Sequence, residues 1–326
     1  VRIGWQGYQM KTIFALGAVL LLLVAQACAA ADAKKIAITI DDLPVASVEP
    51  ISMSDKQRIT DRILAALVRH HVKAVGFVNE DKIYASGEVD AGIGLLKKWL
   101  DAGMELGNHN FGHLGLFKTP LDHYEDAIVK GEVITRWLLA ARGAAPKYYR
   151  YPFNQTGNTL KDKEQIETFL STRGYTIAPF TIEHDDYYYA CVYDRGYAQN
   201  KQVKDFAQLS QSYLAHLGAS IETFETMSAE LFSRQIPQIF LIHASRLNAD
   251  TLDRTLDEFI RRGYSFVSLD EALRDAAYRL ATGPSGKFGP SWLARWARTQ
   301  NRQLTVYGQP DPAGWIAVQH QRLCEP

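Results

Sequence analysis

The sequence predicts an α/β fold built on about seven parallel strands. Two observations predict it. From Lys34 onward, short β-rich runs alternate with stretches of helical length and helical periodicity. The conspicuous polar residues then fall at the C-terminal ends of the β-rich runs, the edge where parallel α/β folds build their sites. Taken in order, Ile36 to Ile40 is a strand ending at Asp41-Asp42. Ser54 to His71 reads as a helix with Ser54 as N-cap and Ile59, Ile63, Leu64, Leu67 and Val68 on one face. Ala74 to Val78 is the second strand, and Ile93 to Ala102 a helix stopped by Gly103. Met104 to Gly107 runs into Asn108-His109. Leu121 to Arg142 reads as one long helix before Gly143. Tyr148 to Tyr151 and Thr176 to Ile182 are the fourth and fifth strands, separated by a helix over Leu160 to Arg173. A helical region from Val203 to Ser233 precedes strand six, Gln238 to Ile242. Ala249 to Arg262 is helical, Ser265 to Ser268 is strand seven, and Glu271 to Leu280 a final helix. A closed barrel and an open doubly wound sheet both satisfy this pattern.

Bulk properties narrow the function class. Lys plus Arg and Asp plus Glu each total 36, so the formal net charge is zero and nothing favours nucleic acid or an anionic membrane surface. Met10-Lys11, the apolar run Ile13 to Ala25 and the small residues Ala27 to Ala31 have the order of a secretory signal peptide, with Val1 to Gln9 upstream of it. The apolar run is short for a membrane span, so no stable membrane insertion is expected once the signal is cleaved. Residues 1–31 are therefore set apart, residues 34–282 form the main domain, and residues 283–326 form a tail. Trp292, Trp296 and Trp315 imply that this tail packs on the domain, because large aromatics are costly to leave in water. Only Cys191 and Cys324 remain after the leader. Export permits them to pair, but cysteines so distant in sequence are more often unpaired.

Asp42, His109 and His113 form a plausible ligand set for one divalent ion. Two imidazoles and a carboxylate suit zinc, with cobalt or nickel as alternatives. The i,i+4 spacing in His109-Asn110-Phe111-Gly112-His113 converges on one ion in a helix or a tight loop. Adjacent buried carboxylates are costly unless their roles are divided. A metal on Asp42 and an arginine on Asp41 would divide them, leaving Asp41 as general base. His243, ending the apolar run Ile239 to Ile242, is placed to protonate a leaving group.

These residues resemble the NodB homology domain of carbohydrate esterase family four. Thr39-Ile40-Asp41-Asp42 is similar to its first motif, His109 to His113 to its second, and Arg150-Tyr151-Pro152-Phe153 to its third. Glu183-His184-Asp185-Asp186-Tyr187 is similar to the fourth, and Leu241-Ile242-His243 to the fifth. The resemblance implies a distorted (β/α) barrel and a metal-dependent hydrolase that removes acetyl groups from an N-acetylated glycan. It implies that Arg150 orients Asp41, that the Phe153 amide holds the oxyanion, and that Asp186 rather than Asp185 tunes His243. Pro152, Phe153 and Tyr187 would then bind the sugar. The pattern departs from the family at Leu43, Asn110, Phe153, Glu183 and Tyr187, which bears on substrate preference more than on the ligands, base or acid. The export signal implies a periplasmic or secreted protein. Two other readings are a carbohydrate-binding protein with a degenerate site, and an amidase for a small non-sugar C–N bond.

Overall fold

In the computed structural model, which describes residues 34–199 and 203–325 besides Val1, strand β1 (Lys34–Leu43) is the spine of a seven-stranded sheet. Its Ile36, Ala37, Ile38 and Ile40 are fully buried, as expected for a strand covered on both faces. The others are β2 (Val75–Val78), β3 (Glu105–Asn108), β4 (Tyr148–Tyr149), β5 (Thr176–Ile177), β6 (Gln238–His243) and β7 (Tyr264–Phe266). Every pairing is parallel, in the order β5-β4-β3-β2-β1-β6, with β7 beside the first residues of β1. Past β5 the chain returns to the far edge, where Ile182 bridges Phe240 of β6. The sheet thus curls into a distorted (β/α) barrel.

Helices α1 (Met53–Arg69), α2 (Val89–Asp101), α3 (Leu121–Lys130), α4 (Val133–Ala140) and α5 (Leu160–Thr172) cover the first half. Ser52, not Ser54, caps α1 by accepting the Asp55 amide. The single helix expected over Leu121 to Arg142 is two. Gly131 breaks it because the chain there lies against the histidine loop, and a Cβ would stand 2.8 Å from the Phe111 nitrogen. The next residue, Glu132, is buried and takes up Arg136, Arg173 and Tyr175.

The second half holds α6 (Asp186–Ala198), α7 (Val203–Phe232), α8 (Arg246–Arg261), the short α9 (Leu269–Ala272), α10 (Trp292–Thr299) and α11 (Gly314–Cys324). Sequence periodicity missed α6. Tyr189 to Asp194 are all buried, so this helix is covered on nearly every side and carries no single apolar stripe. It packs against α7, α8 and α11. The helix expected from Glu271 to Leu280 is α9 followed by a 3-10 turn over Ala276–Arg279. Strand five is also shorter than Thr176 to Ile182.

The tail packs on the barrel through Trp292 and Trp296, which are buried, whereas Trp315 is 40 % exposed. Cys191 and Cys324 are joined by a disulfide that ties α6 to α11, a pairing the sequence left open. The leader expected over residues 10–31 lies outside the described residues. Among the described residues, no helix is long and apolar enough to cross a membrane.

Candidate active site

The C-terminal edge of the sheet opens into a cleft of about 960 Å³. At its floor, β1 delivers Asp41 and Asp42, and β6 delivers His243 in register with Asp41. Asp42 has a φ of 70°, in the left-handed region, and both carboxylates approach His109 Nε2, Asp42 Oδ1 at 3.5 Å and Asp41 Oδ2 at 3.8 Å. Asp41 is 2 % exposed and receives Arg150 Nη1 at 3.4 Å. Arg150 is itself fully buried, donates to Thr39 Oγ1 at 2.9 Å, and lies 4.8 Å from the Phe77 ring centre.

The loop after β3 carries the histidines. Asn79 donates to the carbonyls of His109 and Asn110, Asn108 accepts the Asn110 amide, and Asp81 accepts the Gly112 amide. With the loop fixed, His109 Nε2 and His113 Nε2 each lie 3.5 Å from Asp42 Oδ1. His109 Nδ1 donates to the Arg150 carbonyl at 2.8 Å, which leaves the Nε2 lone pair facing Asp42. One atom from each of Asp42, His109 and His113 lies within 4.8 Å of the others. Asp41 Oδ1 and Asp42 Oδ1 are buried without a hydrogen-bond partner. Two imidazole nitrogens and an unsatisfied carboxylate oxygen converging on one point suit a divalent ion.

Electrostatics favour the same ligand state. Burial lowers both His109 and His113 to about 4, so both are neutral near pH 7. Burial alone would raise Asp42, but Lys82, His113 and His109 hold it well below the carboxylate range. Burial raises Asp41 above its ordinary value, with Arg150 and His243 opposing.

Behind His243, Asp186 at the start of α6 accepts His243 Nδ1 at 2.8 Å, the His243 amide at 2.7 Å and Asn248 Nδ2 at 2.6 Å. Burial would lower His243, yet the Asp186 carboxylate, with Asp42 and Asp41 beyond it, raises it to about 10. Asp185 points elsewhere, accepting Gln309 Nε2 at 2.9 Å. Phe153 and Tyr187 line the cleft and are 56 % and 55 % exposed, but Pro152 is buried outside the lining. Pro152 instead opens the 3-10 turn that holds Phe153 at a φ of 54°.

Lys82, with Nζ 3.4 Å from Asp42 Oδ2, escaped the sequence reading although it follows β2 at the same edge. Asn248 escaped it too. Five residues after His243 and near the start of α8, it also donates to the His243 carbonyl at 2.8 Å. Tail residues that line the cleft, among them Phe288 and Tyr307, carried no motif.

The fold and the cluster at its strand ends define the class: a (β/α) barrel with a candidate divalent-metal centre in an open cleft. Residues 29–168 match the polysaccharide deacetylase family. The chain is 25 % identical over 239 residues to peptidoglycan-N-acetylglucosamine deacetylase PgdA of Listeria monocytogenes, covering 73 % of this chain and 38 % of that protein. A peptidoglycan-N-acetylglucosamine deacetylase of Bacillus cereus is 30 % identical over 124 residues, covering 37 % of each chain. Peptidoglycan-N-acetylmuramic acid deacetylase PdaA of Bacillus subtilis is 22 % identical over 231 residues, 68 % of each. The chain thus spans less than half the length of the first of these relatives. These likenesses support a NodB-like polysaccharide deacetylase domain in this chain.

Proposed function

We propose that this protein is a metal-dependent hydrolase that removes N-linked acetyl groups from an N-acetylated glycan or oligosaccharide. The observation that carries this reading is the pairing of a raised, arginine-held Asp41 with an Asp186-held His243, in register on adjacent strands beside a three-ligand cluster. The names of the relatives supply the substrate class.

Asp42, His109 and His113 would hold the ion, zinc in this reading, with cobalt or nickel as alternatives. When bound, such an ion supplies Lewis acidity to the acyl carbonyl and lowers the pKa of water. Asp41, oriented by Arg150, accepts a proton from the attacking water, and its burial makes it a stronger base than a free carboxylate. The amide of Phe153, on the motif resemblance, would donate to the oxyanion. His243, protonated at neutral pH because Asp186 stabilises the imidazolium, gives its proton to the departing amine. Acetate and the free amine are the products. Phe153 and Tyr187 wall the sugar.

Acetate release from chitin oligomers and peptidoglycan, with and without a chelator, tests this. Release that a chelator abolishes and zinc restores is expected. No release from any N-acetylated glycan by the zinc-loaded protein would overturn it in favour of a degenerate binding protein.

We also propose export to the periplasm or medium. The Cys191–Cys324 disulfide supports this, since such bonds persist in oxidising compartments. N-terminal sequencing of the mature protein should find cleavage after Ala29 or Ala31, and a chain retaining Met10 would contradict it.

A further inference from the structure

Five exposed aromatic side chains face the cleft: Phe117, Phe153, Tyr187, Phe288 and Tyr307. Phe153 and Tyr187 sit on the motif segments. Phe288 and Tyr307 come from the tail, beyond the last strand. Phe288 is 73 % exposed, more than any of the other four. An apolar ring held in water costs free energy unless something covers it, and grouped exposed aromatics usually mark a binding face.

Phe288 is also held in place. On its N-terminal side the Lys287 carbonyl accepts Gln155 Nε2 at 2.9 Å, and the Gly286 amide donates to the Gly157 carbonyl at 3.0 Å. On its C-terminal side Gly289 lies so close to the Phe153-Asn154 backbone that a Cβ there would run into the Asn154 carbonyl. Arg295, 3 % exposed, then clamps the same turn by donating to the Asn154 carbonyl at 2.5 Å and to Thr156 Oγ1 at 3.2 Å. The tail backbone is therefore locked to the turn that presents Phe153, and the Phe288 ring stands at the rim of the cleft with Lys287 Nζ 5.2 Å from its centre. A held backbone reduces the main-chain entropy lost when a ligand covers the ring.

We propose that Phe288 forms a second sugar platform, so that the cleft binds an oligosaccharide, with one N-acetylated unit at the metal cluster and a neighbouring unit stacked on the tail. This rests on the glycan deacetylase reading and extends its site. The axial C–H face of a pyranose is apolar and stacks on an aromatic ring, while its hydroxyls stay in water. A cavity of about 960 Å³ stands at the upper end of the range for small-molecule sites.

The test compares N-acetylglucosamine with its β-1,4-linked pentamer. Binding is measured by calorimetry in a zinc-loaded Asp41→Asn background, and acetate release in the otherwise wild-type protein. Phe288→Ala should weaken pentamer binding, and raise the KM for the pentamer, by about tenfold, leaving the monomer and kcat unchanged. Phe288→Tyr should restore both. A pentamer bound no better than the monomer, or a Phe288→Ala protein unaltered at either length, would overturn the platform. Phe288-dependent pentamer binding without acetate release would sustain the platform while refuting deacetylation. Acetate release that ignores Phe288 would do the reverse, and a protein that neither binds nor deacetylates would refute both.

Discussion

Replacing Asp186 by Asn removes one charge from the most tightly held part of the site and leaves its shape. Asp186 accepts three hydrogen bonds, two of them from His243. His243 stands at about 10 against an ordinary 6.5, a gap of roughly 3.5 units, or a ceiling of ~5 kcal/mol. The His243 side chain is 21 % exposed to the cleft, so solvent screens part of that gap, and Asn retains one acceptor. We therefore expect ~2 kcal/mol of lost stability near pH 6, equivalent to a fall of ~1.5 units in the His243 pKa. A histidine raised on folding contributes fully below its unfolded value near 6.5 and loses that contribution as pH climbs toward about 10. Wild-type stability should therefore decline between those values, and the decline should flatten in Asp186→Asn. NMR titration of the His243 imidazole gives the pKa directly, and urea unfolding at several pH values gives the slope. The alkaline limb of kcat/KM should move down with it. An unchanged imidazole pKa in Asp186→Asn would refute the reasoning.

Three further outcomes follow from the geometry. His109 and His113, both lowered to about 4, should keep binding zinc as pH falls through 6 and release it only toward 4; a chromogenic chelator followed against pH reads this, and release at pH 6–7 would contradict it. Asp41→Asn and His243→Ala should each keep the metal and lose ~10²–10⁴-fold in kcat. The loss in His243→Ala should shrink for substrates with a good leaving group. Cys191→Ser should cost ~2–5 kcal/mol in chemical unfolding, because the disulfide closes a loop across 133 positions.

The barrel was legible because its strands are short apolar runs with polar ends, and β1 keeps that pattern without interruption from Ile36 to Asp42. Asp41, Asp42, His109, His113 and His243 were legible for the same reason: their chemistry coincides with strand ends. Helix α6 was not, since burial on most faces erases the periodicity that marks a surface helix. The break at Gly131 was not, because it answers to the Phe111 backbone twenty residues earlier. Lys82, Asn248 and Phe288 were hidden by distance in another sense. Each reaches the cleft only through a partner that folding brings near, Asp42 for the first, Asp186 for the second and, through the neighbouring Gly289, the Phe153 turn for the third.

The most direct test of the account counts products. Zinc-loaded protein acting on an N-acetylglucosamine oligomer should release one free amine for every acetate, a chelator should stop both, and Asp41→Asn should suppress both together while retaining its zinc. Acetate without amine would point to ester cleavage, and undiminished release by Asp41→Asn would contradict the proposed role of the Asp41–His243 pair.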